Sequence, residues 1–66
     1  MDFQPPTVAN TIRDAERNVT YTVMAYRALT RPELVQCVRM HMARQRKKPK
    51  KGSRITIITT FGFNEA

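Results

Sequence analysis

The densest cluster of chemically active side chains in this sequence is a basic run: Arg44, Arg46, Lys47, Lys48, Lys50, Lys51 and Arg54. It holds seven of the chain's twelve Lys and Arg residues within eleven positions and contains no acid. Like charges at that density repel one another, so a polyanion that neutralises them relieves an electrostatic cost. A phosphate backbone is the commonest ligand of this kind. Each phosphate contacted releases condensed counterions, which makes affinity fall steeply with salt. The plain alternative is a solubilising loop with no ligand at all.

Cys37 and His41 form a second grouping, four residues apart and therefore on one side of a helix. That spacing suits two metal ligands, or a thiol beside a base. A tetrahedral metal site needs two further ligands, and the chain has one Cys and one His in all. A nucleophilic pair needs a third group to orient the base, and no candidate stands near. A buried thiol beside a boundary histidine is the expected state, with no metal and no cofactor. Asp14 and Glu16 flank Ala15 between Arg13 and Arg17, which is the composition of a solvated surface. Gly52 and Gly62 are the only glycines, so no Gly-rich phosphate loop can form. The chain reads as a binding protein and not as an enzyme.

Charge and length narrow the partner. A net charge of +7 on 66 residues points first to nucleic acid, DNA or RNA. The alternative is an interaction module, inhibitor or adaptor, that docks on an acidic surface of another protein. A membrane partner is not expected, because no stretch approaches the ~20 apolar residues that span a bilayer. The start of the chain lacks the basic and apolar regions of a secretory signal, and a lone cysteine suits a reducing compartment, so a cytoplasmic location is expected. Asn18-Val19-Thr20 matches a glycosylation sequon that such a location leaves unused. Tyr21, Tyr26, Phe61 and Phe63 are worth more to a small core than as platforms for stacked bases.

The elements that position these residues follow from periodicity. Residues 1–6, with Pro5-Pro6, read as a flexible tail, and residues 7–66 as one small α+β domain with a basic loop at 46–53. Val8, Ile12 and Ala15 share one face of a weak helix that Thr7 could cap. Residues 19–26 alternate at period two, with Val19, Tyr21, Val23 and Ala25 on one side, and are assigned as a strand. Tyr21, Met24, Ala25, Ala28 and Leu29 also make a helical stripe. That alternative gives a helix-turn-helix-like arrangement with a C-terminal β segment.

Thr30-Arg31-Pro32-Glu33 has the form of a capping box with proline in the first turn, opening a helix to about Gln45. Leu34, Val35, Cys37, Val38, His41 and Met42 form its apolar face, and Pro49 is expected to stop it. Gly52-Ser53 then turns the chain into a strand over residues 54–61, with Ile55, Ile57 and Phe61 on one face, and Gly62, Phe63 and Asn64 finish it. The whole is a small β-α-β type domain of strand, capped helix, basic loop and strand.

Two strands and one helix make a thin core, and a final strand offers an edge for pairing. A homodimer is therefore expected, and sedimentation at high micromolar concentration should show it; a purely monomeric protein there would contradict the expectation.

Overall fold

The computed structural model describes residues 4–63. Its elements run β1 (Val8–Asp14), β2 (Val19–Ala25), α1 (Arg31–Arg44) and β3 (Arg54–Ile58). They form one sheet of order β1-β2-β3, with β2 antiparallel to β1 and parallel to β3. A parallel pair needs a crossover, and α1 supplies it. The expected α+β class holds, in the order β-β-α-β.

β2 is the middle of the sheet and of the core. Val19, Tyr21, Val23 and Ala25 are at most 2% exposed, while Thr20, Thr22 and Met24 on the opposite face are half-buried. Period two therefore governs this segment, and the helix-turn-helix alternative does not form. The neighbouring strands decide the matter, because both edges of the β2 backbone find ladder partners.

The weak helix expected from Thr7 is corrected: the segment is β1. Val8, Asn10 and Ile12 stand opposite Ala25, Val23 and Tyr21, so alternation and not the i, i+4 spacing sets their side of the sheet. Ala15, the third residue of the supposed helical stripe, falls in the β1–β2 turn. Pairing with β2 satisfies the backbone groups of β1 without a helix. Asn10 is a polar residue on the core side of this strand, and its amide is fully used. Nδ2 donates to the carbonyls of Val8, Val23 and Arg27, and Oδ1 accepts from the Leu29 N–H at 2.8 Å. β1 also supplies, within one chain, a third strand that the two-strand reading sought from a second copy.

The capping box is present as expected. Thr30 accepts from the Glu33 N–H, and the Glu33 carboxylate accepts from the Thr30 N–H at 2.9 Å. Leu34 and Cys37 are buried against β2 and Ile57, while Val38, Met42 and Ile12 pack at the margin. The Tyr21 hydroxyl, carried into this core by β2, reaches the Met42 thioether at 3.3 Å. The helix ends near Gln45 as expected, but Pro49 is not the residue that stops it. α1 stops at Arg44, where Gln45 turns to extended backbone and its N–H donates to the Met42 carbonyl at 3.2 Å. β3 is also shorter than expected, ending at Ile58. Thr59 and Phe61 still hold the end of β2, through hydrogen bonds from the Thr59 N–H to the Met24 carbonyl and from the Tyr26 N–H to the Phe61 carbonyl. Of the expected tail, residues 1–3 lie outside the described residues, as does Asn64; Gln4 receives a hydrogen bond from the Tyr26 hydroxyl at 2.8 Å.

Arg27 clamps the helix start from the end of β2. Its guanidinium pairs bidentately with Glu33 at 2.8 and 2.9 Å and lies over the Phe61 ring. That fork, helped by the Thr30 N–H, lowers the Glu33 carboxyl from 4.5 to about 2. The folded carboxyl thus holds its proton less tightly than the unfolded one. Its contribution to stability is complete above pH 4.5 and is lost as pH falls toward 2. Thermal melts of wild type and Glu33→Gln should differ most above that upper value and converge as the pH approaches the lower one. A gap that does not change with pH would contradict the assignment.

Candidate nucleic-acid interface

The seven residues of the basic run all lie on the surface. Arg44 closes α1, Arg46, Lys47, Lys48, Lys50 and Lys51 occupy the loop that follows, and Arg54 opens β3. The loop is not loose at its far end. Gly52 adopts φ +83°, the left-handed region that glycine enters without strain. Its N–H donates to the Asn18 carbonyl at 2.9 Å, and the Thr20 N–H donates to the Ser53 carbonyl at 3.0 Å. Ser53 folds back on Lys50, whose carbonyl accepts from both the Ser53 N–H and its hydroxyl. The last turn of the basic loop is therefore docked on the β1–β2 turn.

That turn brings basic residues of its own. Asn18, at φ 54°, is a residue type that tolerates the left-handed region. While its carbonyl holds Gly52, its side-chain Oδ1 accepts from the Arg13 guanidinium at 2.6 Å. One asparagine thus ties Arg13 and the basic loop to the same point. Asp14 faces inward to the turn, its Oδ1 accepting from the N–H groups of Glu16 and Arg17 at 3.1 and 3.3 Å. Arg13 stands opposite Thr20, and Thr20 opposite Arg54, so both arginines are on the same face of the sheet. Two inter-strand steps of ~4.8 Å separate them by about 10 Å.

The site is therefore wider than the contiguous run. Residues 44–54 are legible in the sequence as a charge block, but the place of Arg13 beside Arg54 depends on β1 being a strand. The available signal is slight: Ile12 stands between Thr11 and Arg13 at period two from Val8, but Ala9 and Asn10 break the alternation. Among the described residues the one ion pair is Arg27–Glu33, at the opposite end of β2, so none of the seven basic residues of the run is neutralised by an acid. Their charge faces solvent.

The Cys37–His41 pair sits elsewhere. Cys37 is a buried free thiol, and His41 is half-buried beside a cleft between α1 and β3. Among the described residues no three His, Cys, Asp or Glu side chains gather where a metal ion could be held. No helix among them is long and apolar enough to cross a membrane. No protein-family model matches the chain, and no curated protein or solved structure does so either.

Proposed function

We propose that this protein is a non-catalytic nucleic-acid-binding module that grips a phosphate backbone with its basic end. The observation that carries the reading is the docking of the last turn of the 44–54 segment on the β1–β2 turn. It brings the end of the basic run to the end of the sheet that carries Arg13, with no acid inside the run to neutralise it. Lys and Arg on an anchored loop can follow a charged backbone without reading its bases, so this contact sets affinity and orientation. The bidentate fork of arginine suits phosphate oxygens, and lysine serves as a mobile point charge. The fold separates this duty from stability. The loop side chains are exposed, and the core lies between α1 and the one face of the sheet that the helix covers.

Replacement of Lys47, Lys48, Lys50 and Lys51 together with alanine should remove most binding and leave the melting temperature near that of wild type. Exposed substitutions usually change stability by only ~0.5 kcal/mol each. In anisotropy titrations the slope of log affinity against log salt should shrink by roughly 0.7 to 0.9 for each phosphate that is no longer neutralised. A quadruple variant with the affinity and salt slope of wild type would refute the reading. Wild-type protein that binds no nucleic acid at low salt, but binds an acidic protein surface through these lysines, would replace it with an interaction module.

A further inference from the structure

The face of the sheet turned away from α1 is covered by no element of the described chain. The register puts its side chains in three rows: Arg13, Thr20 and Arg54; Thr11, Thr22 and Thr56; and Ala9, Met24 and Ile58. None of these nine residues is buried, and Ile58 is 73% exposed. The face carries two arginines, no acid and no aromatic ring. Its first row abuts the basic loop through the hydrogen bond between Thr20 and Ser53.

We propose that this helix-free face is a reading surface for duplex DNA and lies in the major groove. The proposal rests on the phosphate-binding reading and names the form of nucleic acid that fits. Charge complementarity selects the occupant. A second copy of the chain would bring its own net charge of +7 to this face, with no acid among the nine residues to meet it. DNA meets the two arginines there with phosphates.

Shape selects the groove. The axes of β1 and β3 lie about 10 Å apart, two inter-strand steps. With half a strand spacing added on either side the sheet is about 14 Å wide, close to the ~12 Å major groove and far beyond the ~6 Å minor groove. Strands are known to read DNA from this position. Duplex RNA is excluded as the matching partner, because its major groove is too deep and narrow for side chains to enter. Single strands are bound by stacking bases on exposed rings. The ring carried into the middle of the sheet, Tyr21, is 2% exposed and faces α1; Tyr26 and the 43% exposed Phe63 pack on each other at 5.1 Å beyond the end of β2, outside the three rows.

Chemistry then assigns roles along the rows. The threonine row presents three hydroxyls, each both donor and acceptor, to base edges on the groove floor. The methyl groups of that row, with Met24 and Ile58, are the apolar contacts that thymine methyls take. Arg13 and Arg54 border the face where the basic loop ends, so the loop lies along the phosphate strand at the groove's rim.

The test compares anisotropy titrations of wild type with a short mixed-sequence duplex and with the same duplex carrying glucosylated 5-hydroxymethylcytosine. The sugars fill the major groove and leave the phosphate charge unchanged. Affinity should fall about tenfold or more on the modified duplex, the scale of removing one good base interaction. On the protein side, Thr56→Glu and Gln36→Glu add the same charge, one on the helix-free face and one on the exposed side of α1. Thr56→Glu should weaken binding to the plain duplex about tenfold more than Gln36→Glu does. Equal affinity for the two duplexes, equal weakening by the two variants, or preference for single-stranded DNA or duplex RNA would overturn the proposal. If the quadruple lysine variant still fails to bind in that case, the phosphate reading survives without it. If Thr56→Glu fails to fold, the comparison of duplexes decides alone.

Discussion

The pairing of β2 along both of its edges is the constraint from which the rest of this structure follows. A seven-residue strand with four buried side chains can be central only if partners on either side satisfy its backbone. β1 reaches one edge through a short turn. β3 reaches the other only after a crossover, which obliges α1 to lie on one face and to bury Leu34 and Cys37 there. The opposite face is thereby left without a cover. A chain of this size has no disulfide to reinforce it, so core packing and backbone pairing must hold it together.

The same constraint assembles the basic end. In a parallel pair the crossover must bring the chain back to the end where the first strand began, so the loop after α1 arrives at the β1–β2 turn. Asn18 and Gly52 meet there, both in the left-handed region, and their hydrogen bond joins two segments far apart in sequence. Charge density is thus raised where backbone pairing is secure. The opposite pole is built differently: Arg27, Glu33, Thr30 and Phe61 neutralise and brace one another. Within one small domain, Arg27 is paired with an acid while the basic run has no ion pair among the described residues.

Much of this is legible from residue types alone. The capping box marks the start of α1 because its two reciprocal hydrogen bonds depend on local spacing. The alternation of Val19, Tyr21, Val23 and Ala25 marks the most buried strand. The dense run of β-branched residues around Ile55 and Ile57 marks β3. β1 does not show itself, because Thr, Asn and Ala dilute the pattern and only pairing with β2 selects the extended form. With that segment read as a helix, Arg13 cannot be placed beside Arg54, and the sheet is short of a strand that a second chain would have to supply. The end of α1 falls near Gln45 as expected, but backbone geometry and not Pro49 sets it. Gln45 turns extended well before Pro49.

The central claim is that β2 is held on both edges and that this pairing anchors the basic loop. Amide hydrogen exchange measured residue by residue tests it most directly, because exchange reports local opening. The amides of Val19–Ala25 should be the slowest in the protein, and the Gly52 amide should be markedly slower than that of Lys51 beside it. Amides of β2 exchanging as fast as those of residues 45–51 would contradict the account.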